Sequence, residues 1–189
     1  MKAITLGLVL LAGTAPPAAS VGPLTDLERA ETATAAFAAA LKGELVQAMQ
    51  SGGAIEAIEV CHSRADAIAH EVSGKYGLKV SRVSLKNRNP GNAPNEWQKS
   101  VLEAFEDRKL AGESPGALTW SETAGFGDNT EFRYMKAIPA GGLCLQCHGE
   151  TLAEPLAGKL QELYPDDRAT GYREGDLRGA FVVTRRQDP

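Results

Sequence analysis

The segment Cys144-Leu145-Gln146-Cys147-His148-Gly149 constrains this chain more than any other. Its C-x-x-C-H spacing is the pattern of covalent haem attachment. Two thiols three positions apart on a turning backbone can each add to one of the two vinyl groups of a haem. The next residue, His148, then sits under the macrocycle and offers an imidazole nitrogen to the iron. Three other uses of the pattern compete: a thioredoxin-like pair, half of a zinc site and a structural disulfide. A zinc site needs a second pair of ligands at metal spacing, and the only other cysteine is Cys61. A thioredoxin-like pair usually opens a helix after a strand, and its pattern does not require the following His. The expectation is one covalent haem c held by Cys144 and Cys147, with His148 on the iron.

The N-terminus points the same way. Lys2 precedes the apolar run 3–12, and a small-residue segment ends at Pro17-Ala18-Ala19-Ser20. A charged start, a short apolar centre and small residues make a secretory signal peptide. The run is about half of the ~20 residues a spanning helix needs, which argues against an uncleaved anchor. Residues 1–20 are therefore read as a signal peptide and residues 21–189 as a single domain in the periplasm, where haem c is attached. No second apolar stretch approaches membrane length, so no membrane span is expected after cleavage. The chain carries 20 Lys and Arg against 24 Asp and Glu, a formal charge of −4. With no basic run beyond Arg185-Arg186, nucleic acid is not an expected partner. Two cysteines spent on haem leave Cys61 as an odd thiol in an exported protein.

Residues 24–49 are rich in Ala, Leu, Glu and Lys and read as a long amphipathic helix, capped near Thr25 or Asp26. Ser51-Gly52-Gly53 breaks it. Residues 54–73 read as a second helix closed by Gly74, and 78–85 as a strand. Residues 86–95 hold two Pro, one Gly and four Asn, a loop composition. Asn95 caps a helix over 96–110, with Trp97, Val101, Leu102 and Phe105 on one face. Strands follow at 117–122 and 130–138, joined by a hairpin turn at 125–129. The haem motif reads as a loop, followed by a short helix over 153–163 and a last strand over 179–185. The chain is α/β: helices first, then an antiparallel meander with the haem loop inserted before its last strand.

The sixth iron position has five candidates: Cys61, His62, His70, Met49 and Met135. Cys61-His62 is the sharpest, because it holds the odd thiol. A buried structural Cys is its plain alternative. Arg64 is a cation placed to help a Cys61 thiolate form. Arg82, Lys86 and Arg88 could pair with haem propionates, for which guanidinium geometry is suited. Trp97 and Trp120 read as core groups, while Tyr134 is open to either core or cavity.

The stretch from Ser81-Arg82-Val83-Ser84-Leu85-Lys86-Asn87-Arg88-Asn89-Pro90 to Asn95-Glu96-Trp97 adds a further signal. With the Ala57–Cys61 helix, the C-L-Q-C-H-G motif and the Gly179-Ala180-Phe181-Val182-Val183 strand, it resembles the PAS-like haem c domain family first described in cyanobacteria. That family was long known only as a domain of unknown function. The resemblance spans nearly all of the chain after residue 20. It implies a PAS-like antiparallel sheet with a long N-terminal helix and flanking helices. It also implies axial ligation by His148 and Cys61, and a role in redox or diatomic-gas sensing with NO or CO as ligands. A stand-alone exported form is the nearer comparison within the family. A soluble electron carrier, docking to a redox partner protein, is the alternative. An enzyme such as a small peroxidase is not expected, since no distal acid–base group stands out and an open iron site would be needed.

Overall fold

The computed structural model describes residues 24–126 and 129–186. The expected signal peptide lies outside these residues, as do Gly127 and Asp128 of the expected hairpin turn.

Helix α1 (Asp26–Tyr76) is two helices joined at Gly53, where φ 71° and ψ −159° leave the helical region. Such torsions are open almost only to glycine, which is why the chain breaks within Ser51-Gly52-Gly53. Thr25 starts the helix with a capping box: its hydroxyl accepts from the Glu28 N–H, and the Glu28 carboxylate accepts from the Thr25 N–H. The two halves then fold back on each other. Arg64 pairs with Glu44 at 2.9 Å, and Arg29 donates to the Tyr76 carbonyl. Contacts nearly symmetric about Gly53 describe an antiparallel helical hairpin. The second half runs to Tyr76 and is capped by Gly77 rather than ending at Gly74.

Strands β1 (Lys79–Val83), β2 (Thr119–Ala124), β3 (Glu131–Pro139) and β4 (Leu177–Arg186) form one antiparallel sheet, in the order β1-β4-β3-β2. The last strand therefore fills the gap between the first and the third. Period-two alternation sorts the two faces. Val80, Phe132, Tyr134 and Val183 meet Ala30, Ala33, Phe37, Ile68 and Val72 of α1. Val83, Met135, Ala137, Ala180 and Val182 face the other way, onto Val101, Leu102 and Phe105 of α2 (Glu96–Leu110). The result is the PAS-like α/β arrangement, an antiparallel sheet with a long N-terminal helical element and flanking helices.

Two expectations are corrected. The strands do not form a meander, since the last one pairs between the first and the third. The C-x-x-C-H segment is not a loop but a short helix, α3 (Gly142–His148), followed by α4 (Glu154–Leu163) with Pro155 in its first turn. Helix α3 has no side-chain cap at Gly141, so its sequence carries no start signal. Its C-terminal end is tied down by the fold instead. The Tyr172 N–H donates to the His148 carbonyl at 3.0 Å and the Gly171 N–H to the Gly149 carbonyl at 2.9 Å.

Candidate cofactor cavity

A cavity of about 500 Å³ lies between α1, α3 and the adjoining ends of β1, β3 and β4. Cofactor and ligand sites commonly enclose about 300–1,000 Å³. The first half of α1 supplies Leu41, Leu45 and Met49, four residues apart and so on one face. Its second half supplies Ala57, Ile58 and Cys61. Helix α3 supplies Cys144, Cys147 and His148, while β1 and the loop after it supply Arg82 and Arg88. Cys61, Arg82, Arg88, Cys144, Cys147 and His148 all line this one cavity.

His148 is prepared to present one nitrogen. Its Nδ1 lies 2.7 Å from the Ala169 carbonyl oxygen. A carbonyl only accepts, so Nδ1 carries the proton and donates, leaving the Nε2 lone pair available. Burial pushes the imidazole pKa down to about 2, with the Arg178 and Arg88 charges adding to the effect. The ring is therefore neutral at physiological pH.

The three cysteines are half-buried free thiols. Burial raises the Cys61 thiol above its ordinary range, opposed by the charges of Arg82, Arg88 and Arg178. Arg64 plays no part in this: it pairs with Glu44 and Glu71. Burial also raises the Cys147 thiol, which feels Cys61 and Cys144. Among the described residues, no group of three or more His, Cys, Asp and Glu side chains is arranged to hold a bare metal ion.

Of the five candidates for the sixth iron position, only Cys61 and Met49 line the cavity. His62 and His70 are exposed, and His62 rests edge-on against Tyr164 with ring centroids 5.1 Å apart. Met135 is fully buried on the α2 face of the sheet. Trp97 and Trp120 stack on each other beside that same cluster, and Tyr134 is buried in the α1-facing core.

The loop cations separate sharply. Lys86 sits 4.5 Å from the Tyr172 ring centroid and donates to the Thr170 carbonyl, away from the cavity. Arg88 is buried and pairs with Asp167 at 2.9 Å, while also donating to the Cys147 carbonyl at 2.6 Å. Its charge is neutralised by the protein itself, and it clasps the end of α3. Arg82 reaches the cavity beside the Phe37 ring, 5.7 Å from its centroid. Two further cavity residues, Arg178 and Tyr164, were not selected from the sequence. The expected last strand began at 179, which left Arg178 in a turn. The only signal for Arg178 was its position directly before the Gly179 strand. Nothing local marked Tyr164.

The donor set suits a flat apolar disc bearing carboxylates. It offers two thiols at attachment spacing, one neutral imidazole, apolar walls and guanidinium groups at one side. Fold and cavity thus define a class: a PAS-like α/β domain with a C-x-x-C-H helix in the wall of a cation-bearing cavity. A family model described as Tll0287-like matches residues 23–185, and the chain belongs to the Tll0287-like family. Among solved structures it is similar to the crystal structure of the cyanobacterial heme-protein Tll0287. The TM-score is 0.60 and the identity 27%, covering 85% of this chain and 92% of that one. No curated protein matches the chain.

Proposed function

We propose that this chain is a periplasmic single-haem c-type cytochrome that senses redox state or a diatomic gas. In this reading Cys144 and Cys147 hold the haem by thioethers, and His148 and Cys61 occupy the axial positions. The observation that carries it is the meeting of Cys61, Cys144, Cys147 and His148 on one cavity, although Cys61 lies more than eighty residues before the motif. The similar cyanobacterial heme-protein supports the cofactor, and the N-terminal signal pattern supports the compartment. A bound haem would supply a one-electron couple and an iron centre open to ligand exchange.

The chain's own residues do the rest. The Ala169 carbonyl fixes the His148 tautomer and orients its ring. Arg88 holds the Cys147 carbonyl and so the end of the attachment helix. Three guanidinium groups favour the Cys61 thiolate while burial favours its thiol. Burial is the larger effect, so Cys61 off the iron is a neutral thiol, and it would have to lose its proton to bind as an anion. A side chain that regains its proton readily favours a sensor over a carrier with both axial positions permanently filled.

The test begins with acid–acetone extraction and mass determination of the purified holoprotein. Haem should stay with the polypeptide and add one haem mass. Extractable haem, or zinc in its place, overturns the reading. Absorption and EPR spectra of both oxidation states, with CO added to the ferrous form, then separate the roles. Rapid CO binding marks a sensor, and a ferrous form inert to CO marks an electron carrier.

A further inference from the structure

We propose that Arg82 and Arg178 form a two-guanidinium clamp for the carboxylates of the cofactor, with Arg178 as the principal anchor. The proposal rests on the haem reading above, under which the carboxylates are the two propionates.

Four cations line the cavity: Lys42, Arg82, Arg88 and Arg178. Lys42 is exposed, and Arg88 is neutralised by Asp167. Among the described residues, neither Arg82 nor Arg178 forms an ion pair. Arg178 is the more telling of the two. Its Nε is shut off from solvent and has no hydrogen-bond partner. A buried donor left unpaired is costly, and more so when charged.

The fold nevertheless holds Arg178 firmly in place. The Ser84 hydroxyl donates to the Arg178 carbonyl at 2.7 Å. The guanidinium lies 5.4 Å from the Tyr172 ring centroid, and its Nη1 reaches the Lys86 carbonyl at 3.4 Å. The charged groups acting on it are Arg82, Arg88 and Asp167. Arg82 faces Cys61, Asp66 and Tyr164. Among the described residues, the carboxylate acting on Arg178 is Asp167, already bound to Arg88. The cavity wall thus carries, among the described residues, two half-buried guanidinium groups without an ion pair, next to apolar side chains. An amphipathic ligand with two carboxylates completes that arrangement. A small hydrated anion would leave the Leu41, Leu45 and Phe181 wall uncovered. The fork of a guanidinium also matches a carboxylate bidentately.

The experiment uses holoprotein matured in cells, with attachment verified by mass. Resonance Raman spectra report the propionate bending bands, and infrared difference spectra report the propionate carboxyl on titration. In Arg178→Gln and Arg82→Gln the bending bands should shift, and the propionates should protonate at higher pH than in the wild type. Arg178→Lys should recover the charge effect while losing the bidentate band position. It also serves if the Gln variant folds poorly. Attached haem with unchanged bands and unchanged propionate titration in all three variants overturns the clamp alone. A shift seen only in Arg88→Gln reassigns the contact and also overturns it. Failure to find attached haem in the wild type overturns the haem reading and the clamp with it.

Discussion

Cys61 and His148 face the same cavity under opposite electrostatic demands. The guanidinium groups that draw Cys61 toward its thiolate are the ones that help keep His148 neutral. Burial outweighs them at Cys61, so the free side chain is a thiol, and a thiolate ligand there would have to form on binding. Thiolate donation lowers a haem potential, so Cys61→Ala should raise it and move the ferric spectrum toward high spin. His62→Ala should leave the spectrum unchanged, because that side chain is exposed against Tyr164. Met135→Ala should cost stability, as loss of a buried Met side chain does by about 2–5 kcal/mol, without altering the spectrum. EPR of the four ferric proteins decides. A low-spin signal that survives Cys61→Ala and vanishes on adding Met49→Leu would transfer the axial role to Met49, which lines the same cavity. Cys61 was legible as an unexplained thiol, and its partner was legible from C-x-x-C-H. Arg178 was not legible, because an arginine beside a strand is ordinary until its Nε is found shut off from solvent without a partner.

Element boundaries follow local chemistry where local chemistry is strong. The Thr25–Glu28 and Asn95–Gln98 capping boxes start α1 and α2 where the sequence places them. The Gly53 bend is equally local in cause but not in effect. It turns one helical pattern into a hairpin that lays Met49 and Cys61 along a single cavity. No Cβ clash exists at Gly53, so Gly53→Ala tests the backbone alone. It should destabilise by about 1–3 kcal/mol, read as a lower denaturation midpoint of the holoprotein. An unchanged midpoint would show that the bend tolerates ordinary residues. At Gly179 two causes meet: φ is 154°, and a Cβ there would lie 2.2 Å from the Val83 carbonyl oxygen of the neighbouring strand. Helix α3 depends on a neighbouring segment too. Seven residues without a capping side chain form a helix because the 169–172 segment binds its end.

Across the whole molecule, one buried ion pair ties the loop after β1 to the segment following α4. Arg88 and Asp167 are both about one-tenth exposed, at 2.9 Å, and Arg88 also holds the Cys147 carbonyl. Removing one partner strands a buried charge, so Arg88→Ala should cost about 3–5 kcal/mol. The double variant Arg88→Ala/Asp167→Ala should cost less than the sum of the two single ones. Denaturation of the three holoproteins measures this, and strict additivity would refute the coupling. The sequence by itself determined the C-x-x-C-H spacing, the capped helices and the alternating strands. Each of these depends on residues within a few positions of one another, where spacing is geometry. Only the tertiary structure decided the rest. Strand β4 inserts between β1 and β3, and that insertion brings Arg178 beside Arg82. The helical hairpin and sheet together carry Cys61 to His148. Whether a cation is spent on the protein or left for a ligand also waits on the fold. Asp167 meets Arg88 rather than Arg178 through packing between segments far apart in the chain, which no local pattern encodes.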